Sequence, residues 1–325
     1  MKSIINNSKS WLKFAGLFIV CLFMLVSMGF AQDDSTAAPE TVAPAKKKPV
    51  KNTFESVWII DNQTVLVPVK KTLEMDIQHR FGTVDKGYQD FWGFFAPSNI
   101  RLGVSYSPIN KLNLGVGITK SNMLWDVNAK YSLITQTKGK YPVSISYYSN
   151  VAYDTRKDED KSIFRYSTER FSFFNQLLIA RKVTNKLSLQ VGPSISHQNS
   201  VAGYYTKNDS TGKDIFKEMN FDHFAISFSG RYKVTTVTSL MFNYDQPLTK
   251  HATNNPNPNL SFGVEFNTGG HSFQLFLGNF PYLNPQRNNL FNTNSPFGYT
   301  DKVTDKKVEG GKFLIGFNIT RLWNY

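Results

Sequence analysis

The chain has 325 residues, enough for one large domain or two modest ones, and its hydrophobic fraction of 41 % excludes a disordered chain. Aromatic residues make up 14 %, charged residues only 19 %, and the net charge is +13, so an anionic partner such as nucleic acid, a membrane surface or an acidic solute is indicated. A single cysteine excludes a disulfide framework and a cysteine-based zinc site.

Residues 1–31 have the order of a secretory signal peptide. Lys2, Lys9 and Lys13 precede an apolar run from Leu17 to Met28, and small residues follow up to Ala31. A transmembrane anchor remains an alternative, because the apolar run is close to the length that spans a bilayer. Cleavage near Ala31 predicts an exported protein and removes the only cysteine, Cys21.

Residues 32–52 mix Ala, Pro, Thr and Lys without an apolar period, which predicts a solvated periplasmic linker. Its lysines at positions 46–48 could contact an acidic partner in the cell envelope, although a solvated linker is the favoured interpretation.

Residues 53–71 form a pre-barrel segment. Its runs Val57–Ile60 and Val65–Val69, joined by Asp61 and Asn62, predict a hairpin. This hairpin would lie at the periplasmic mouth of the following domain or enter its lumen as a plug.

From residue 72 to residue 325, apolar residues recur at every second position within short segments. Segments of about ten residues alternate apolar and polar side chains, and none is long and apolar enough for a membrane helix. This pattern predicts an all-β fold, a closed antiparallel transmembrane β-barrel of about 12 strands. The alternating segments lie at residues 73–81, 100–106, 112–118, 125–133, 143–151, 171–179, 187–195, 224–228, 240–244, 260–266, 273–277 and 313–319.

The connections alternate between short and long, with one exception at residues 120–122. Short periplasmic turns and longer extracellular loops are typical of outer-membrane barrels. The aromatic excess fits the same fold, because Tyr and Trp collect at the two membrane interfaces.

The chain ends with aromatic residues in alternate positions, Trp323 and Tyr325. This ending resembles the C-terminal signal that the barrel assembly machinery reads, although Thr320 stands where that signal usually has Gly. The machinery is therefore an expected partner.

Three early segments carry a family resemblance. The run from Leu73 to Gly82, the run from Ser98 to Gly103 with the following Tyr106, and the glycine-rich Leu114–Lys120 resemble an uncharacterised family of membrane-bound β-barrel proteins from Bacteroidota. The likeness is sharpest over residues 53–121. It implies a barrel with a signal peptide and says little about its role.

The polar faces of the predicted strands give candidates for lining the lumen and binding a solute. Two hypotheses stay open, a polar lumen that selects a solute and a set of ion pairs across a filled interior. Arg80 and Arg101 lie near the outer ends of neighbouring strands, so they could form a shared binding patch. The candidates are Glu74, Asp76, Arg80, Arg101, Asp126, Lys130 and Glu265.

No enzyme activity, cofactor or metal is predicted. The five histidines are scattered, and no Gly-x-Ser-x-Gly nucleophile motif occurs, so a hydrolase is a third and weakest hypothesis. His197 and His223 fall on neighbouring strands, but their positions in the alternating pattern place them on opposite faces of the sheet.

An aromatic cluster lies in the first long loop at Phe91, Trp92, Phe94 and Phe95. It could bind a sugar or an apolar ligand, or fold inward as a constriction. A short helix that packs on the barrel rim is the favoured interpretation.

The leading functional hypothesis is a small pore for polar solutes in the outer membrane. The alternative is a non-conducting barrel that anchors a periplasmic or envelope partner. Outer-membrane lipid and lipopolysaccharide are expected to surround the barrel, and the absence of a nucleic-acid motif argues against nucleic acid.

Overall fold

The computed structural model describes residues 48–207, 213–251, 255–300 and 307–325; the predicted signal peptide and most of the predicted linker lie outside them. Within those four stretches, no helix combines the length and the apolar character needed to cross a bilayer.

Alternating side chains build the main element, a barrel of strands that are mostly 8–12 residues long, close to the length that crosses a bilayer when tilted. The barrel strands are β3 (Thr72–Thr83), β4 (Asn99–Ile109), β5 (Leu112–Thr119), β6 (Leu124–Ile134), β7 (Ser144–Asp154), β8 (Phe171–Lys182), β9 (Leu187–Gln198), β12 (Asp222–Lys233), β13 (Thr238–Pro247), β14 (Asn259–Thr268), β15 (His271–Gly278) and β18 (Leu314–Asn324).

The remaining elements are short and lie in the connections or before the barrel. They are the strands β1 (Trp58–Ile59), β2 (Asn62–Gln63), β10 (Gly203–Lys207), β11 (Asp214–Glu218), β16 (Tyr299–Thr300) and β17 (Lys307–Val308), the helix α1 (Pro285–Phe291), and 3-10 turns at Val84–Asp90, Ser121–Met123 and Ser167–Arg170.

Among the described residues, the twelve long strands form one closed antiparallel barrel in which sequence neighbours are also spatial neighbours. The pairing of β18 with β3, with Ile319 opposite Ile77, closes it. Closure leaves no sheet edge, so the strands satisfy each other's main-chain groups. Each of the twelve predicted segments overlaps one of these strands, and the predicted fold is confirmed.

The two faces of the barrel reverse the distribution of apolar and polar side chains that is usual in a soluble protein. On β6, Val127 points outward and is 63 % exposed, whereas its neighbour Asp126 points inward and is 1 % exposed. Charged and amide side chains therefore fill the interior, and apolar side chains cover the outside, as a lipid environment requires.

The barrel has two different rims. At one, which we call the short-turn rim, strands are joined by tight turns; at the other, the long-loop rim, the connections contain the extra strands, turns and α1. The short connection around Ser121–Met123 lies at the long-loop rim and remains the exception that the sequence indicates.

The predicted hairpin differs from the structure in register. β1 and β2 pair with Trp58 opposite Gln63 and Ile59 opposite Asn62, so the turn consists of Ile60 and Asp61. The turn is one residue earlier than predicted, and residues 65–69 are not a strand. Ile60 has a φ of 61°, an unfavourable value for a β-branched residue.

Candidate functional site: the filled lumen

Residues 53–69, which we call the luminal segment, enter the barrel at the short-turn rim and return to the same rim. Just beyond them, the Lys70 and Lys71 amides donate hydrogen bonds to Asn110 Oδ1 and to the Ser107 carbonyl beside the β4–β5 turn. Both ends of the segment are therefore held at one rim, while β1 and β2 lie inside the barrel.

Apolar side chains of the luminal segment pack against apolar residues on the inner face of the wall. This contact is hydrophobic in an otherwise polar lumen, so withdrawing the segment would expose apolar surface to water. The cluster consists of Phe54, Ile59, Ile60 and Val65 from the segment with Tyr148, Phe174, Leu178, Ala180, Met241, Phe276 and Phe280 from the barrel and its last long loop.

Wall side chains also bond the main chain of the luminal segment. The donors and acceptors come from six strands around the barrel, so the segment is held from several sides. The bonds join Gln274 to Trp58 O and Ile60 N, Asn243 to Ile59 O, Asn318 to Ile60 O, Gln190 to Gln63 O and Val65 N, Lys130 to Thr64 O, and Ser146 to Val65 O.

Glu55 anchors the beginning of the luminal segment. Its carboxylate accepts hydrogen bonds from Arg231 Nη2 at 2.7 Å and Lys233 Nζ at 2.8 Å, and Asn267 lies at 3.3 Å. Burial raises the pKa of Glu55, but the hydrogen bonds and charges of Lys233 and Arg231 outweigh it, so the pKa is lowered overall. Glu55 is therefore a carboxylate at neutral pH.

A buried ion cluster joins β3, β4 and β6. Arg101 donates to Asp76 and to both carboxylate oxygens of Asp126 at 2.8–2.9 Å, and its guanidinium lies 5.5 Å from the ring of Trp58. The cavity beside Trp58 and Arg101 is about 10 Å³, room for about one water. At this level the lumen is filled.

The other predicted lining residues also point inward and are buried, but they have separate partners. Arg80 donates to Asn318 Oδ1 and lies over the Phe276 ring, Lys130 donates to Gln63 Oε1, and Glu265 accepts from Arg231. Glu74 is also buried in the wall. Arg80 and Arg101 engage different groups and make no common contact among the described interactions.

Helix α1 enters the lumen from the long-loop rim. Its residues Gln286, Asn288, Asn289 and Leu290 are buried, and it packs against β8, β9, β12 and β13. Gln286 Nε2 donates to Asn150 Oδ1 at 2.9 Å. Asn288 lies beside the Asp61 carboxylate of the luminal segment, so the two inserted elements meet inside the barrel.

The aromatic cluster Phe91, Trp92, Phe94 and Phe95 lies outside the lumen. Phe94 packs on the outward-facing Phe81, with ring centroids 4.6 Å apart, and Phe95 is 81 % exposed. The 3-10 turn at Val84–Asp90 ends before the cluster, and residues 91–95 form turns and not the short helix that the sequence predicts. Trp323 lies near the end of β18 and Tyr325 just after it, at the short-turn rim.

Two of the histidines form a contact that the sequence did not indicate. His197 is exposed and bonds Asp222, whereas His223 points inward and lies 2.9 Å from His251. The opposite orientations of His197 and His223 follow their parity. No group of three or more His, Cys, Asp or Glu side chains in the described stretches could hold a metal ion.

A cavity of about 330 Å³ opens at the short-turn rim between the luminal segment and the turns of the wall. Glu55, Lys233, Asn267 and His271 contribute its polar lining, and Phe54 contributes apolar surface. It is a vestibule that ends where the luminal segment fills the barrel.

Sequence reasoning missed the amides that bond the luminal segment and the apolar residues that face the lumen. Gln190, Asn243, Gln274 and Asn318 occupy polar positions of the alternating pattern, where nothing distinguishes them from other lining residues. A detectable signal existed for the apolar patch, since Phe174 and Leu178 are large apolar residues on the inward face of β8, which also carries the polar Ser172 and Gln176.

The family model described as membrane bound beta barrel domain (DUF5777) matches residues 54–323. The match extends far beyond the residues on which the resemblance rested and includes most of the luminal segment. No curated protein matches the sequence.

Several solved barrels are similar at low identity. The NanC porin shares 8 % identity with a TM-score of 0.43, covering 78 % of this chain and 99 % of that chain. An outer membrane channel from Pseudomonas putida F1 shares 13 % with a TM-score of 0.43, covering 79 % and 97 %. The KdgM porin shares 9 % with a TM-score of 0.39, covering 78 % and 99 %.

Proposed function

The chain belongs to the family of membrane-bound beta barrel domains, and from this premise we propose that it is an outer-membrane channel for small polar solutes, closed at rest by the luminal segment. The observation that carries the proposal is the nature of the obstruction. Near Trp58 the lumen is obstructed by a segment that precedes the first barrel strand and packs among the inward side chains of the wall.

A wall stripped of the luminal segment would be suited to water and polar solutes. Arg101 pairs with Asp76 on β3 and with Asp126 on β6 at the wall, and the glutamine and asparagine side chains that bond the segment can bond water instead. Because α1 packs on the β8, β9, β12 and β13 side, the opened path would run along the charged β3–β6 wall.

The second candidate function is a non-conducting barrel that anchors a partner in the envelope. The observation favouring it is that α1 also occupies the lumen, and that apolar wall residues such as Phe174 and Met241 are buried in one cluster with apolar residues of the luminal segment. In that case the segment would be a permanent part of the core. No enzymatic role is proposed.

Conductance of single barrels in a planar bilayer tests the proposal. The full mature chain is compared with a variant in which residues 53–69 are replaced by a Gly/Ser segment of equal length, and Phe95→Ala serves as an exposed control. We expect unitary currents from the replacement variant and rare openings from the full chain and the control. A replacement variant that keeps its β-sheet circular dichroism spectrum but passes no current contradicts the channel and favours the anchoring barrel.

Export by the signal peptide at residues 1–31, insertion by the barrel assembly machinery through Trp323 and Tyr325, and contact with outer-membrane lipopolysaccharide belong to the same proposal. So do a periplasmic or envelope partner for the linker at 32–52 and an origin in Bacteroidota. They rest on the sequence patterns alone. Truncation before Trp323 should reduce the amount of barrel inserted in the outer membrane, measured in membrane fractions.

A further inference from the structure

Two wall glutamines bond the luminal segment in the same way. Gln274 Nε2 donates to the carbonyl of Trp58 at 2.8 Å, and its Oε1 accepts from the amide of Ile60 at 3.1 Å. Gln190 Nε2 donates to the carbonyl of Gln63 at 2.8 Å, and its Oε1 accepts from the amide of Val65 at 2.9 Å. We call these two side chains the amide clamps.

Each amide clamp bridges the carbonyl of residue n and the amide of residue n+2. In a parallel sheet, one residue of a strand makes this pair of bonds to its neighbour. A side-chain amide carries the same donor and acceptor as a peptide group, so each clamp replaces one residue of a neighbouring strand. One clamp holds the leg of the hairpin that contains β1, and the other holds the leg that contains β2.

The clamps are placed to keep this geometry. Gln274 Nε2 also donates to Glu265 Oε2 at 2.9 Å, and its Oε1 accepts from Asn318 Nδ2 at 2.9 Å. The orientation of that amide is therefore fixed by the wall itself. The side chain of Gln190, by contrast, makes all its described hydrogen bonds to the luminal segment.

Most polar contacts between the wall and residues 58–65 address the main chain. Eight bonds reach carbonyls and amides, and three reach side chains. The eight are those given above for the six wall residues. The three join Asp245 to Asn62, Lys130 to Gln63 and Asn243 to Asp61, and the Trp58 side chain also lies beside the Asp76 carboxylate.

Main-chain groups are common to all peptides, so the polar contacts of this site recognise an extended backbone, while the apolar contacts of residues such as Trp58 and Ile59 contribute affinity through side chains. We propose that the lumen is a binding site for an extended peptide, which the chain's own luminal segment occupies at rest and a second peptide can occupy once the segment leaves. This inference rests on the proposed function, because it names peptides as the class of solute that the opened barrel accepts.

The first test uses the full chain. Val65→Cys places a thiol at a buried position, and if the signal peptide is removed as predicted it is the only cysteine. In that background, Gln190→Ala with Gln274→Ala should raise the rate of maleimide labelling by about a hundredfold, since four bonds are lost. Asn62→Ala with Gln63→Ala should change it by less than about tenfold, since side-chain contacts alone are lost.

Gln176→Ala is the matched control for the amide clamps. Gln176 is a buried glutamine on the inner face whose amide bonds Gly192 O and Ser227 Oγ within the wall. It should leave the labelling rate unchanged. A larger effect from Asn62 and Gln63 than from the clamps would overturn the inference, because recognition would then depend on the side chains of the segment.

The second test supplies the peptide in trans. A fluorescent peptide of residues 53–69 is added to the detergent-solubilised barrel that carries the Gly/Ser replacement, and binding is followed by anisotropy. N-methylation at Ile60 and Val65 removes the two amide protons that the clamps accept. We expect the methylated peptide to bind at least about tenfold more weakly.

A double-mutant cycle separates lost bonds from altered peptide conformation. In the barrel with Gln190→Ala and Gln274→Ala, the methylated and unmethylated peptides should bind equally well. An equal penalty for methylation in both barrels would overturn the main-chain site.

Anisotropy does not depend on conduction, so the two proposals can fail separately. Clamp-dependent binding to a barrel without currents would reject the channel and keep the peptide site. Currents without clamp-dependent binding would reject the peptide site and keep the channel.

Discussion

The luminal segment and α1 both fill the barrel, but the wall holds them by different groups. The wall bonds the main chain of residues 58–65, whereas its contact with Gln286 of α1 joins two side chains, Gln286 and Asn150. The reason is geometric. A helix turns its carbonyls and amides toward its own next turn, while β1 and β2 are two residues long and leave most of theirs without a partner inside the hairpin.

This difference means that the wall must be complementary to the luminal segment in a way it need not be to α1. Buried main-chain groups without partners are costly, so each clamp residue compensates for a bond that the short hairpin cannot make. The comparison predicts that substitutions at the luminal segment change its docking, and that substitutions at α1 change the stability of the barrel without releasing the segment.

Trp58→Ala is expected to have the largest effect on the docking of the luminal segment. Trp58 is buried in the lumen against the Arg101 guanidinium, and truncation of a buried aromatic residue costs about 3–5 kcal/mol. Labelling of Val65→Cys by maleimide should accelerate at least about a hundredfold. Phe95→Ala, at an exposed aromatic residue, is the control and should leave the rate unchanged.

Glu55→Gln should have the next largest effect. It should destabilise the docked luminal segment by about 1.5 kcal/mol or more, because it replaces a charged acceptor of Arg231 and Lys233. The lowered pKa of Glu55 means that its contribution is present above the ordinary value of 4.5 and is lost as pH falls through the folded value. Labelling of Val65→Cys, expressed relative to the labelling of a free thiol at the same pH, should therefore accelerate as the pH falls below about 4.5. The Gln variant should label faster at neutral pH and lose this acid response; an unchanged response would show that another group controls it.

Gln286→Ala should lower the free energy of unfolding of the barrel by about 1 kcal/mol, since one buried hydrogen bond to Asn150 is lost. Denaturant titration followed by circular dichroism measures this change. The rate of Val65→Cys labelling should stay the same, because Gln286 does not bond the luminal segment. Gln89→Ala, an exposed glutamine in the first long loop, is the matched control. Faster labelling in the Gln286 variant would show that the two elements dock as one unit.

Trp92→Ala is expected to have the smallest effect of these substitutions, with no change in conductance. The aromatic cluster lies outside the lumen, so the unitary conductance of the Gly/Ser replacement barrel should be the same with and without this substitution. A changed conductance in bilayer recordings would mean that the first long loop folds over the pore after all, as one interpretation of the sequence allowed.

Local patterns predicted the barrel because each strand carries its own alternation. Leu112–Ile118 and Trp125–Leu133, for example, identify β5 and β6 without knowledge of any partner. The inward orientation of Arg101 and Asp126 follows from the same parity.

The filling of the lumen could not be predicted in this way. Ile60 and Gln274 are 214 positions apart, and Val65 and Gln190 are 125 apart, so no local pattern connects them. The inward Phe174 and Met241 depart from the alternation, but the residues that cover them belong to a different part of the chain. The turn of the hairpin was misplaced because Asp61 and Asn62 are typical turn residues, whereas the structure uses Ile60 in a left-handed conformation.

The luminal segment begins and ends at the short-turn rim, and this has a consequence for the order of assembly. The barrel is complete only when β18, its last strand, pairs with β3, its first. A segment that had to cross the closed barrel would need a free end to thread through it. A loop with both ends at one rim needs none, so it can fold into a finished barrel and withdraw again while every strand pair stays intact.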